Sequence, residues 1–159
     1  MDGAHTLARC AEVTERTLHA VFDALRGQRV LLEGMLLKPN MVVPGLKCPQ
    51  QAGADEVADA TVATFRRVVP AAVGGVAFLS GGQSAPDASV RLNAMHVRHV
   101  DLPWPLAFSF ARAIQDPAMR AWAGRKENVP AAQKALVERA HLNRLARRGE
   151  YTAAMETPR

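Results

Sequence analysis

The sequence predicts an α/β fold in which short parallel strands alternate with amphipathic helices. Segments with apolar residues three and four positions apart, the spacing of one helix face, alternate along the chain with short apolar runs. Glycine or proline separates most of these segments, as is typical of turns between elements. Regular alternation of this kind indicates β–α units and a parallel sheet.

The composition is that of a globular protein. Hydrophobic residues make up 48% of the 159 residues, which is enough for a substantial core. Only 5% of the residues are aromatic, so the core must consist mainly of alanine, valine and leucine. No run of 18 apolar residues occurs, and we expect no membrane span.

The formal net charge of +5 allows two interpretations. A basic stripe would indicate nucleic-acid binding, whereas scattered arginines indicate a solvated surface. The basic residues are spread along the chain, and the densest cluster lies at a predicted helix end, where cations suit the helix dipole. We therefore expect no nucleic-acid partner. Cys10 and Cys48 follow no disulfide or zinc spacing, which favours free thiols and a cytoplasmic location.

The first two elements are a helix and a strand. Residues 7–26 show helical periodicity and end at Gly27. The apolar run 29–37 is too short for a core helix and predicts a strand that is buried on both faces of the sheet. Glu33 lies inside this run, so we expect it to be a buried partner of an arginine.

The second β–α unit begins after a loop rich in proline and glycine. Residues 55–69 predict a helix that Pro70 ends, and residues 75–79 predict a strand. A turn of small residues follows, from Ser80 to Gly82. Ser84 is a good N-cap for the next helix because its hydroxyl can accept from the first-turn N–H groups.

The remaining elements are a third strand and a long last helix. Residues 104–108 predict the strand, with Pro105 tolerated only near its beginning. The last helix is predicted from about 128 to 149, between an asparagine cap and a glycine stop. We treat residues 1–159 as one domain. Three parallel strands fit either a small α/β sandwich or a piece of a larger barrel.

Lys38 is the first candidate for chemistry. It follows the first predicted strand, and an ammonium group next to apolar residues would be poorly solvated. Poor solvation frees an amine to act as a nucleophile. On spacing alone, the commoner alternative is a lysine that extends from a strand end into water.

Two further candidates follow the other two strands. The turn Ser80-Gly81-Gly82 would let backbone N–H groups approach a phosphate, although ordinary tight turns look similar. Arg112, in the segment that begins at Ser109, could clamp a phosphate through its planar guanidinium, or it could be a surface residue. All three candidates follow strands, and parallel α/β folds place their sites at that edge of the sheet. His96 and His99 lack a third ligand, so we predict no metal site.

Four segments together resemble class I fructose-1,6-bisphosphate aldolases. Residues 31–45, LLEGMLLKPNMVVPG, are similar to the segment that carries the Schiff-base lysine of this family. FLSGGQS (78–84) resembles the next strand with its phosphate loop, and WPLAFSFARAIQ (104–115) resembles the last strand with its arginine loop. WAGRKEN (122–128) and the helix after it resemble the C-terminal helix of the family.

The resemblance implies both a fold and a site. The fold would be the C-terminal part of a TIM (β/α)8 barrel, about strands six to eight. Lys38 would form the covalent imine with substrate, and no metal or other cofactor would be needed. The residues that hold the substrate phosphate would be Ser80, Gly81, Ser109, Ala111 and Arg112.

The sequence also departs from the family pattern. Ala111 replaces a glycine, and a left-handed backbone there would cost free energy. Phe110 replaces a tyrosine and Met35 a threonine. The resemblance places five strands before residue 1, together with the acidic residues and second lysine that transfer protons.

The implied function is a lyase of glycolysis and gluconeogenesis. The chain would cleave fructose 1,6-bisphosphate reversibly to dihydroxyacetone phosphate and glyceraldehyde 3-phosphate. The resemblance implies a phosphorylated sugar as substrate and a homo-oligomer, a tetramer in this family, for the full-length protein. The alternatives are a truncated, non-catalytic remnant, or a half that needs a complementary N-terminal chain, and a binding module that uses the basic surface.

Overall fold

The computed structural model describes residues 2–156 as an α/β fold with three strands and five α-helices in that range. The strands are β1 (Leu36–Leu37), β2 (Gly75–Phe78) and β3 (Leu106–Phe108). The helices are α1 (Leu7–Gly27), α2 (Ala54–Val68), α3 (Ala85–Arg98), α4 (Arg112–Trp122) and α5 (Val129–Ala146). Short 3₁₀ turns occupy Leu32–Gly34, Lys126–Asn128 and Ala153–Glu156.

The three strands form one parallel sheet in the order β1-β2-β3. Leu37 pairs with Val76, and Val76 pairs with Leu106, so these three side chains share one face. The predicted α/β fold with a parallel sheet is therefore confirmed.

The helices cover one face of the sheet and leave the other open. Leu37, Val76 and Leu106 are all buried under the helical layer. On the opposite face, Leu36 is 70% exposed, and the paired Ala77 and Ala107 are only half-buried. The described residues therefore form two layers, and apolar side chains of the sheet remain in contact with solvent.

Aromatic packing fixes α2 to the covered face. The Phe65 ring of α2 stacks on the Phe78 ring of β2 with centroids 5.7 Å apart, and Trp104 meets Phe65 edge-on. The Trp104 indole N–H donates to the Pro70 carbonyl at 2.9 Å, which satisfies its polar group inside the core. Helix α2 also contacts α1 and α3, and α5 contacts α3 and α4.

The predicted strand over 29–37 is wrong except at its end. Only Leu36 and Leu37 pair with β2, while Leu32–Gly34 forms a 3₁₀ turn and Leu31 is 70% exposed. Arg29 has a positive φ of 56°, which breaks the extended conformation at the start of the run. Glu33 is exposed rather than buried, so its predicted role as a buried partner of an arginine is also wrong.

Helix α4 was not predicted from the sequence. It is short, and Pro117 lies inside it, where the missing N–H leaves the carbonyl one turn earlier without its usual donor. Proline normally argues against a helix interior, which concealed this element. Of the helices in residues 2–156, none is both long and apolar enough to span a membrane.

Candidate active site

The candidate residues meet at the carboxyl edge of the sheet. The Leu79 N–H donates to the Pro39 carbonyl at 3.0 Å, and the Ser109 N–H donates to the Phe78 carbonyl at 2.8 Å. These bonds extend the strand pairing past the ends of β1 and β2. Lys38, Ser80 and Ser109 therefore follow three adjacent strands at one edge.

Lys38 lies on the open face of the sheet. It is two residues beyond Leu36, so the alternation of a strand places both side chains on the same side. The Lys38 side chain is exposed in the described part of the chain. The prediction that its ammonium group is poorly solvated is therefore wrong for residues 2–156. Its amine is accessible to a ligand from the open face.

A tight turn follows β2. The Gln83 N–H donates to the Ser80 carbonyl at 3.0 Å, and the two residues between them, Gly81 and Gly82, have φ values of 56° and 84°. Two central residues with positive φ define a type I′ turn, which favours glycine at both positions. Ser80 is only 4% exposed. The turn thus brings backbone to the sheet edge with no side chain to obstruct an approaching anion.

Arg112 reaches this turn from the next strand. A methyl group placed on Gly82 would lie only 3.7 Å from Nη2 of Arg112, so the guanidinium and the glycine turn are neighbours. Arg112 is the first residue of α4, so the start of this helix lies beside the turn after β2.

Ala111 begins α4 without a side-chain cap. The N–H groups of the first helical turn therefore have no capping oxygen, and they point outward with the positive end of the helix dipole. The φ of Ala111 is −96°, so the predicted cost of a left-handed backbone is absent. Alanine is compatible with this conformation.

The turn, the guanidinium and the helix N-terminus together can bind an anion. Each is a known partner for phosphate, and here they come from two adjacent β–α connections. Sequence reasoning missed Gln83 and Arg91, whose side chains bond to each other behind the turn. The only sequence feature that could have indicated Gln83 is its position between the glycines and the Ser84 cap.

An open concavity of about 450 Å³ lies between α1 and the segments that follow β1 and β2. Asn40 and Leu79 line it from the strand ends, and the opposite wall consists of His5 and the first half of α1, with Arg9, Cys10, Val13 and Thr14. The Asn40 amide donates to Thr14 Oγ1 at 3.2 Å and to the Met41 carbonyl at 2.9 Å, which holds the loop after Lys38 against α1. There is room here for a small polar molecule.

His99, which follows the last residue of α3, contacts a surface carboxylate. His99 Nε2 lies 2.9 Å from Asp59 Oδ1, in a surface cluster that includes Arg98. Across residues 2–156, no group of three or more histidine, cysteine, aspartate or glutamate side chains is arranged to hold a metal ion.

Comparison with known proteins gives consistent matches. The family described as fructose-bisphosphate aldolase class-I matches residues 1–159. Fructose-bisphosphate aldolase B of Gallus gallus is 52% identical over 156 residues, which cover 98% of this chain. Aldolase C-A of Danio rerio is 52% identical over 151 residues, or 95% of the chain.

The solved structures agree. The fructose-bisphosphate aldolase of Plasmodium falciparum superposes with a TM-score of 0.92 at 47% identity, covering 96% of this chain. This chain spans only 44% of that structure, and 43% and 42% of the chicken and zebrafish relatives. The described fold thus corresponds to part of the aldolase TIM barrel. The chain belongs to the class I fructose-bisphosphate aldolase family.

Proposed function

We propose that this chain carries the imine-forming and phosphate-binding part of an aldolase. That enzyme would cleave fructose 1,6-bisphosphate reversibly to dihydroxyacetone phosphate and glyceraldehyde 3-phosphate. The observation that supports this most strongly is the arrangement at the sheet edge. Lys38, the glycine turn and Arg112 follow three adjacent parallel strands, in a chain of the class I aldolase family.

Lys38 would be the nucleophile. Its Nζ attacks the ketose carbonyl carbon, and loss of water leaves a protonated imine. When the C3–C4 bond breaks, its electron pair moves into the imine and gives an enamine, while the C4 hydroxyl loses its proton as the aldehyde forms. Protonation of C3 and hydrolysis then release dihydroxyacetone phosphate and restore the amine. Imine chemistry of this kind needs no metal.

The phosphate on the ketose C1 side would occupy the anion site. Ser80 would donate its hydroxyl, Gly81 and Ala111 their backbone N–H groups, and Arg112 its guanidinium, with Ser109 completing the set. Anchoring the phosphate would bring the carbonyl carbon toward Lys38, which follows the neighbouring strand at the same edge of the sheet. Holding a reactant in this way converts an encounter into an intramolecular step, which is a large part of catalysis.

Replacing Arg112 by alanine is expected to weaken phosphate binding. Charge-assisted bonds of this kind contribute about 1.5–3 kcal/mol, which corresponds to roughly tenfold to hundredfold in the dissociation constant of inorganic phosphate. Isothermal titration calorimetry measures that constant. Arg120→Ala is the matched control, because Arg120 is an exposed arginine on the same helix. Equal losses in the two variants would contradict a site at Arg112.

A second possibility is that the chain is a non-catalytic remnant, or a half that needs a complementary N-terminal chain. The exposure of Leu36 and the half-buried alanines of the open face favour it, as do the outer edges of β1 and β3, which have no strand partner within residues 2–156. The Asp87 carboxylate, four residues after the turn, accepts from Ser84 Oγ at 2.6 Å as part of the α3 cap. Proton transfer from C4 would then require groups outside the described residues.

The chain alone is therefore expected to self-associate and to cleave fructose 1,6-bisphosphate at close to background. Missing acid–base assistance alone costs about 10²–10⁴ in rate. Sedimentation and triose-phosphate release test both expectations, for the chain alone and with the N-terminal part of a relative such as the Gallus gallus enzyme. Restoration of activity by that part supports the half-barrel interpretation. Robust cleavage by a monomer of this chain alone would refute it.

The cellular context follows from the same proposal. We place the protein in the cytoplasm, where free thiols such as Cys10 and Cys48 stay reduced. The full-length enzyme would be a homo-oligomer, a tetramer by family resemblance. Sedimentation of the complemented protein tests this assembly.

A further inference from the structure

The glycine turn after β2 has a second anchor, which lies behind it on α3. Gln83 is 8% exposed, and its Oε1 accepts from Nη1 of Arg91 at 2.8 Å. Arg91 lies in the second turn of α3, eight residues further along the chain. The bond therefore joins the last residue of the turn to a helix whose start is already fixed by the Ser84 cap.

The amide of Gln83 is held in one orientation. Since Oε1 faces the guanidinium, Nε2 faces the other way, and it is buried without a partner among the residues that the structure describes. A buried donor without a partner costs free energy, so this orientation of the Gln83 amide lowers the stability of the fold. Loss of the Arg91 contact would leave both polar ends of the amide without a partner. The Gln83 side chain would then regain hydrogen bonds by rotating toward water.

Such a rotation would disturb the turn itself. The Gln83 N–H closes the turn by donating to the Ser80 carbonyl, and both residues between them already have left-handed backbone conformations. A turn that needs positive φ at two successive positions has few alternatives of similar energy, and it loses its shape when its closing bond opens.

Arg91 also brings a positive charge to the back of the turn. Its contact is with a neutral amide rather than a carboxylate, so the charge is not cancelled at that contact. Burial lowers the pKa of the Arg91 guanidinium, while the Asp87 carboxylate acts in the opposite direction. A guanidinium stays protonated at neutral pH, so its field adds to that of Arg112 at the front of the turn.

We propose that Arg91 is a positioning residue of the anion site: through Gln83 it holds the Ser80–Gln83 turn in the form that receives a phosphate. This inference rests on the proposed function, because it takes the turn as a phosphate-binding element. Arg91 does not touch the anion. It acts on the backbone that does.

The test compares Arg91→Met with Arg98→Met. Arg98 is the matched control, since it lies on the same helix two turns further on and pairs with Asp59 at the surface. Hydrogen–deuterium exchange of a peptide that spans 79–84 reports opening of the turn without any ligand. We expect the Gln83 amide to exchange about tenfold faster in Arg91→Met and at the wild-type rate in Arg98→Met.

Calorimetry with inorganic phosphate is the second readout. We expect the dissociation constant to rise about threefold to tenfold in Arg91→Met and to recover in part in Arg91→Lys, which keeps the charge and N–H donors but not the planar guanidinium. Unchanged exchange in Arg91→Met, or faster exchange with wild-type phosphate affinity, would overturn the positioning role. A wild-type chain that binds no phosphate would instead contradict the proposed anion site, and the exchange rates would then decide by themselves whether Arg91 holds the turn.

Discussion

Replacing Lys38 by methionine is expected to abolish the covalent adduct that borohydride fixes between this chain and dihydroxyacetone phosphate. Only an amine can form the imine, and methionine keeps most of the length of the side chain without the nitrogen. Cleavage by the complemented enzyme should fall by roughly 10⁴ or more, because binding and electrostatic contributions alone remain once the nucleophile is removed. Mass spectrometry of the trapped protein, followed by peptide mapping, measures the adduct.

The matched control is Lys47→Met. Lys47 is an exposed lysine in the loop after β1, so it reacts equally well if accessibility alone decides where the adduct forms. We expect the wild type and Lys47→Met to be trapped to the same extent at Lys38. Trapping of Lys38→Met, or an adduct mapped to another lysine, would show that the assignment is wrong. The same experiment with the complementary N-terminal part present separates a wrong nucleophile from a chain that cannot bind the substrate alone.

The sheet and its order of elements could be predicted because the signals were local and consistent. Helices α1 and α2 are long enough for their apolar periodicity to be unambiguous, and glycine or proline marks the ends of both. The run 29–37 was misread because a short apolar segment looks the same whether it is a strand or an irregular stretch. The left-handed Arg29 and the exposed Leu31 depend on packing that periodicity does not reveal.

The candidate site was predicted partly from position and partly from the family resemblance. Parallel strands bring their carboxyl ends to one edge, which is why the sequence was sufficient to place Lys38, Ser80 and Arg112 after three adjacent strands at that edge. Position could not show that Ala111 keeps a negative φ, since glycine in the family pattern suggested the opposite. Nor could it show the contact of Arg91 with Gln83, because a buried amide and a helical arginine carry no signal of pairing.

The least predictable feature is a buried polar cluster that fastens the C-terminal segment to α3 and α5. Arg139 of α5 is 4% exposed and donates from Nη1 to both carboxylate oxygens of Glu156, at 2.8 and 2.9 Å. Its Nη2 donates to Ser89 Oγ at 2.8 Å, and the Tyr151 hydroxyl donates to Glu156 Oε1 at 2.6 Å. Burial and the Glu156 carboxylate raise the pKa of Tyr151, so its hydroxyl stays a neutral donor at pH 7. Ser89 lies 50 residues before Arg139, and Arg139 lies 17 residues before Glu156, so the pairing of these residues depends on the folded chain.

Replacing Glu156 by glutamine is expected to lower the free energy of unfolding by about 3 kcal/mol, since the buried Arg139 guanidinium would keep its charge and lose its counter-ion. For a chain of this size the midpoint of thermal unfolding should fall by roughly 6–12 °C. Circular dichroism during urea and thermal unfolding measures both quantities.

Glu12→Gln is the matched control, because the Arg9–Glu12 pair has the same chemistry but both of its side chains are more than half exposed, and we expect no change there. The double variant Arg139→Met, Glu156→Met should be less destabilised than the sum of its single variants, since it removes both charges together. A loss in Glu156→Gln no larger than that in Glu12→Gln would show that water replaces the carboxylate and that the cluster does not hold the C-terminal segment.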